Sequence, residues 1–178
     1  MTGNGHPRER RTIIGIIGGH ARNTSPEAAR FAEAVGTEIG RRGMAIVCGD
    51  SDGVAAAACR GCQAAGGMTL SVLKGNDARV SHAHVDFPIV TSMDVASNNV
   101  IVWTAAGLIA FDGRYGTLNE IALALDFGKP LVTTGRPGLL RVEEVSSPWF
   151  AHFDGYDCGR APEIVDHLLN LISTRGME

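Results

Sequence analysis

Residues 107–120 read as a strand that turns through glycines directly into a helix. Gly107-Leu108-Ile109-Ala110-Phe111 is an unbroken apolar run, while Leu118, Ile121, Ala122 and Leu125 recur at helical spacing. An apolar run without alternation suits a strand covered on both faces, which requires helices on both sides of a sheet. The turn between them, Asp112-Gly113-Arg114-Tyr115-Gly116-Thr117, aims unpaired backbone N–H groups and the positive end of a helix dipole at one point. That arrangement suits an anion. Gly113 and Gly116 admit φ > 0 and a close approach of ligand to main chain. Thr117 adds a hydroxyl, and Glu120 adds a carboxylate one turn into the helix. Thr117-x-x-Glu120 also fits a capping box, in which the two side chains serve only the helix end. Spacing alone leaves the phosphate cradle and the structural cap both open.

The same punctuation recurs along the chain. Thr12 to Ile17 is a short apolar run that ends in Gly18-Gly19, and Ser25-Pro26 starts a helix with Ser25 as cap and Pro26 in its first turn. Met44 to Cys48 forms a second strand, broken by Gly49-Asp50-Ser51-Asp52-Gly53 before a helix of small residues that runs to Ala65. Thr69 to Leu73 and Val85 to Val90 give two more strands. Ala96 to Trp103 gives a helix, Thr117 to Phe127 another, and Leu131 to Thr133 a strand. Ile164, Val165, Leu168, Leu169 and Ile172 define a last helix. The segment from Gly135 to Gly159 reads as loop with one short strand, and Met1 to Arg11 as a mobile tail.

Alternating strands and helices over 178 residues predict one α/β domain, residues 12–174. The fold class is a Rossmann-like, doubly wound, mainly parallel sheet with helices on both faces. Ligands in such sheets sit beyond the carboxyl ends of the strands, where strand order reverses. Three glycine-bearing turns lie at such ends: Gly18-Gly19 followed by His20, Gly49 to Gly53, and Gly113 to Gly116. One pocket built from all three is the natural expectation.

A net charge of −3 gives no general attraction to nucleic acid or anionic lipid. No apolar run reaches membrane-spanning length and the start lacks an apolar signal segment, so a cytoplasmic location is expected. Cys48, Cys59, Cys62 and Cys158 are then expected as reduced thiols. Cys59-x-x-Cys62 lies in an alanine-rich helical run with no second pair or histidine nearby in sequence, and reads as small core residues. His82 and His84 read as surface histidines on one exposed strand face, and no metal site is expected. Trp103 and Phe127 are expected in the core or at a subunit interface, and Trp149, Phe150 and Phe153 in a lid or an interface patch.

Asp112 to Glu120 resembles the Pro-Gly-Gly-x-Gly-Thr-x-x-Glu pattern of the "lonely guy" (LOG) superfamily, formerly labelled possible lysine decarboxylases. The glycine-rich turn after the second strand and Gly128-Lys129-Pro130 are similar too, and the resemblance covers about Thr12 to Thr134. Within the superfamily the chain looks closest to the branch that includes molybdenum cofactor carrier proteins. The resemblance implies a homo-oligomer, a dimer or tetramer, and in better-studied members a nucleoside 5′-monophosphate phosphoribohydrolase. It places Glu120 on the catalytic glutamate and Gly116 and Thr117 on the phosphate-binding turn. The catalytic arginine position, however, is Ser97, followed by Asn98 and Asn99, and the leading Pro-Gly-Gly is Asp112-Gly113-Arg114.

Serine cannot replace a planar, permanently charged clamp, and losing one such electrostatic stabiliser costs about 10²–10³ in rate. Asp50 and Asp52 would repel a phosphate unless paired. The expected function is therefore binding of a phosphorylated small molecule, a nucleotide or the molybdenum cofactor, as a carrier or sensor with weak or no hydrolase activity. Gly18, Gly19, His20, Gly49, Gly53, Asn98, Asn99, Gly113, Arg114, Gly116 and Thr117 are the expected ligand contacts. A hydrolase that uses Glu120 and a scaffold with a vestigial pocket are the alternatives.

Overall fold

The structure, a computed structural model, describes residues 10–135 and 140–176. All but the last two residues of the expected N-terminal tail lie outside the described residues. Seven strands form one sheet in the order β4-β3-β2-β1-β5-β6-β7, and every neighbouring pair is parallel. They are β1 (Ile13–Ile17), β2 (Ala45–Gly49), β3 (Met68–Leu73), β4 (Phe87–Val90), β5 (Gly107–Ala110), β6 (Leu131–Thr134) and β7 (Phe150–Phe153). The helices are α1 (Pro26–Arg41), α2 (Val54–Ala64), α3 (Ser97–Thr104), α4 (Tyr115–Asp126) and α5 (Ala161–Arg175). The fold is the expected Rossmann-like α/β architecture. Among the described residues no helix is long and apolar enough to cross a membrane.

Alternation along the strands divides the core into two layers. Ile14, Ile16, Ile46, Cys48, Ile109, Phe111 and Val132 pack under α1, α2 and α5. Ile17, Val47, Val72, Leu108, Ala110 and Leu131 pack under α3 and α4. Both faces of the central strands are covered, so β1, β2 and β5 read as continuous apolar runs, while β3 and β6 carry buried Thr69, Ser71, Thr133 and Thr134. β1 pairs with β2 on one side and β5 on the other, which makes the β1–β5 junction the point where strand order reverses.

Local signals act as their chemistry demands. Ser25 caps α1, its Oγ accepting from Ala28 N–H at 3.1 Å, with Pro26 in the first turn. At the end of α4, Gly128 takes φ +58°, Gly128 N–H donates to Leu125 O and Lys129 N–H to Ala124 O, the double bond pattern of a Schellman cap. α1 crosses α2 almost backbone to backbone, because a side chain on Gly36 would overlap the Ala58 carbonyl and one on Gly61 the Glu33 carbonyl. Arg60 closes this crossing with a two-pronged pair to Glu33 at 2.7 and 3.1 Å.

Several expectations change. β4 starts at Phe87 rather than Val85, because the Asp86 carboxylate accepts from Thr69 N–H at 2.8 Å. His82 and His84 therefore lie in the preceding turn segment and not on a strand. The loop after β6 does contain one short strand, β7. Phe150 and Phe153 are half-buried β7 residues packed on the core, and Phe153 meets His167 edge-on at 5.4 Å, so they form no lid. Trp103 is exposed, stacked on Phe127 at 4.6 Å with the Lys129 ammonium over its ring, and is not a core residue. Because carbonyls cannot yield as side-chain ends do, Gly36→Ala should cost about 3 kcal/mol or more. Urea unfolding of this variant against wild type checks the helix crossing directly.

Candidate functional site

The carboxyl ends of β1, β2 and β5 converge on one pocket of about 210 Å³. The main-chain amide of Gly19 fixes it. Gly19 N–H donates to Asp112 O at 2.6 Å, joining the turn after β1 to the turn after β5. Its carbonyl accepts from Val54 N–H at 3.1 Å, Ser51 Oγ at 3.1 Å and Thr24 Oγ1 at 3.0 Å, joining both to the turn after β2. A Cβ on Gly19 would stand 3.2 Å from Asp112 O and 3.3 Å from Asn23 O. Bare backbone is what lets the three turns meet.

Of the residues expected from sequence, Gly18, Gly19, His20, Gly49, Asn98, Arg114, Gly116, Thr117 and Glu120 line this pocket. Three do not. Gly53 caps α2 behind the wall, where a side chain would collide with the Gly19 carbonyl. Asn99 turns aside and its Nδ2 donates to Ala96 O at 3.3 Å. Gly113 lies beneath the Thr117 side chain, which fills the space a Cβ there would need. Neither Gly113 nor Gly116 has a positive φ, so their expected left-handed role is absent. Gly116 instead leaves open space, with nothing within 4 Å of where its Cβ would be.

The capping-box alternative fails as well. α4 begins at Tyr115 with Arg114 as its cap residue, which puts Thr117 and Glu120 inside the helix. The first bond of this helix runs from Leu118 N–H to Arg114 O, so the amides of Tyr115, Gly116 and Thr117 precede the ladder and face the anion-binding end. Arg114 is exposed at the rim of the pocket.

Asn23, Asp50, Ser51, Lys74 and Ser97 also line the pocket. The two expected repulsive aspartates separate. Asp52 points outward, accepting from Ala21 N–H at 3.0 Å near His20, while Asp50 faces the pocket. Lys74 is the cation that sequence reading passed over. It follows β3, and its main chain is stitched to the loop before α3 by Asp94 N–H donating to Lys74 O at 3.1 Å. That loop bends through positive φ at Ser92 and Asp94, and Ser97 Oγ donates to Asp94 O at 2.6 Å. Ser97 thus closes its own turn. Asn98 Nδ2 donates to Asn119 Oδ1 at 2.8 Å and clasps α3 to α4.

Glu120 is buried in the pocket wall, and burial pushes its carboxyl up to about 8, against a smaller opposite pull from Lys74. At neutral pH it is chiefly a neutral acid that can donate a hydrogen bond. Lys74 and Arg114 then outnumber Asp50 among the charged side chains of the lining.

Glu120 also makes stability fall with pH. Its folded pKa lies above the unfolded value of 4.5, so its protonated form costs nothing below 4.5, and stability is lost progressively until pH passes about 8. Glu120→Gln should therefore be more stable than wild type by roughly 1–4 kcal/mol at pH 8 and about equal at pH 4. Denaturant titrations at the two pH values check this. Gly19→Ala should cost about 1–3 kcal/mol by forcing the three turns apart, read in the same titrations.

The comparisons agree with this architecture. The model of the SLOG cluster4 family matches residues 11–150. An uncharacterised protein of Archaeoglobus fulgidus is 34% identical over 124 residues, covering 70% of this chain and 80% of that protein. The molybdenum cofactor carrier protein of Chlamydomonas reinhardtii aligns with a TM-score of 0.78 at 29% identity, covering 90% of this chain and 99% of its own. The molybdenum cofactor binding protein of Rippkaea orientalis aligns with a TM-score of 0.68 at 31% identity, covering 71% and 78%. With most of its length matched by the family model, the chain belongs to the SLOG cluster4 family.

Proposed function

We propose that this protein binds a phosphorylated pterin-type cofactor, the molybdenum cofactor, at the β1–β5 switch point and carries it without turnover. The observation that carries this reading is the pairing of the free α4 amides with Lys74 and Arg114 around one pocket. The likeness to cofactor carriers in fold and sequence supports the same choice.

The residues present fit such a cargo. Its phosphate would lie on the amides of Tyr115 to Thr117, with Lys74 and Arg114 supplying charge. Its pterin edge needs donors and acceptors, and a protonated Glu120 can give both, with Asn98 also in the lining. Asp50 and Ser51 also line the pocket. The bound molybdenum would supply redox chemistry only after delivery to an enzyme, so the residues here need only bind, orient and exclude water.

Hydrolysis of a nucleoside 5′-monophosphate is the less supported reading. Cleavage builds positive charge on the ribose and calls for an ionised carboxylate, whereas burial keeps Glu120 protonated at neutral pH. Ser97 offers no charge, and its hydroxyl is committed to Asp94 O. Homo-oligomerisation belongs to the proposal too, with the exposed Trp103 as a natural contact.

The test loads the purified protein anaerobically with cofactor released from a molybdoenzyme, then measures the pterin retained after gel filtration by its fluorescence on oxidation. Wild type should retain it. Lys74→Ala should weaken retention about tenfold, the equivalent of ~1.4 kcal/mol. Gly116→Leu should fold normally and abolish retention by filling the open space. Retention indifferent to Gly116→Leu would place the cargo elsewhere. Base released from nucleoside monophosphates by wild type but not by Glu120→Ala would establish the hydrolase instead.

A further inference from the structure

A second cluster of chemically reactive groups lies outside the pocket. Cys48 on β2, Cys59 on α2 and His82 in the segment before β4 bring two sulfurs and a ring nitrogen within 4.8 Å of one another. Cys48 Sγ and Cys59 Sγ stand 3.6 Å apart, and both residues are fully buried. Both ring nitrogens of His82 are buried and have no hydrogen-bond partner. Leaving a buried donor or acceptor unsatisfied is costly, so a fold that turns this imidazole inward towards two thiols calls for an occupant. The spacing Cys59-x-x-Cys62 misdirects here, because Cys62 Sγ points instead to Met68 O at 3.7 Å and takes no part. Sequence reading saw a lone pair and surface histidines. The chain crossover that brings His82 over β2 supplies the third ligand.

We infer that Cys48, Cys59 and His82 form a binding site for a thiophilic d¹⁰ ion, zinc(II) or copper(I). Two thiolates held at about 2.3 Å by one tetrahedral ion stand about 3.8 Å apart, close to the separation present without it. His82 needs to move inward by only about 1 Å to complete the set. It sits on a half-buried turn that is anchored just after it: Thr69 Oγ1 donates to His84 O at 3.0 Å, and the Asp86 carboxylate accepts from Thr69 N–H at 2.8 Å. Soft sulfur with imidazole selects these ions over magnesium or calcium, which require oxygen ligands. Copper(I) is satisfied by three ligands, while zinc(II) takes a fourth from outside the set. Binding displaces protons from the thiols to the buffer. The site ties β2, α2 and the turn at His82 together, directly before the Gly49 to Gly53 turn, and it stands independently of the cargo assigned to the pocket.

The test uses full-length, metal-free protein kept reduced. Zinc(II) is titrated against a chromophoric chelator, with cobalt(II) as its spectroscopic stand-in, and copper(I) is titrated against a copper(I)-specific dye. One equivalent of at least one ion should bind, and the tighter arm identifies it. Cobalt should show a thiolate charge-transfer band. His82→Ala should weaken binding tenfold or more, and Cys59→Ala should abolish it, while Cys62→Ala and the exposed Cys158→Ser should leave it unchanged. Circular dichroism confirms that each variant is folded, and His82→Ala, on a turn, keeps the test valid if a core cysteine variant is not. Failure of both ions to bind stoichiometrically overturns the site. Binding that survives His82→Ala undiminished, or that is lost with Cys158→Ser, overturns it as well.

Discussion

The hydrogen bonds of Gly19 hold the rest of the site in place. Its N–H ties β1 to the turn after β5, and its carbonyl gathers Val54, Ser51 and Thr24 from two other segments. Parallel strands end at the same edge of a sheet, but nothing in strand pairing alone brings the loops beyond them into contact. Here one amide group does so, and glycine suits it because a Cβ would stand only 3.2 and 3.3 Å from two backbone oxygens. The neighbouring turns then set the N-terminus of α4 opposite Lys74 and Asp50, with Glu120 in the wall.

Electrostatics give this geometry its preference. An acidic protein overall, with a net charge of −3, keeps a local cationic balance where the carboxyl of Glu120 is too buried to ionise at neutral pH. A protonated Glu120 is suited to donating a hydrogen bond. Serine at position 97 is tied to its own turn and brings no charge to the pocket wall.

Much of this was legible in the sequence because it depends on local rules. Continuous apolar strands, Ser25-Pro26 and Gly128 each announce an element by its own physics, and the three glycine turns mark the carboxyl edge. What escaped depends on the third dimension. Lys74 is one of only two lysines and follows an ordinary strand, so nothing marks it until β3 is placed beside β2. Gly53 and Gly113 look like ligand contacts, yet their small size serves the Gly19 carbonyl and the Thr117 side chain. Cys48 and His82 are too far apart in sequence to suggest each other, and only the order β4-β3-β2 and the helix packed over it bring them together.

Hydrogen–deuterium exchange of the cofactor-loaded against the empty protein tests the central claim most directly. The account predicts slowed exchange together in the turns at 18–23 and 49–53, at 97–98, and in the first turn of α4 at 114–117, with the far edge at β7 unchanged. Protection confined to other surfaces, or to one of these turns alone, would contradict a single binding pocket at the switch point.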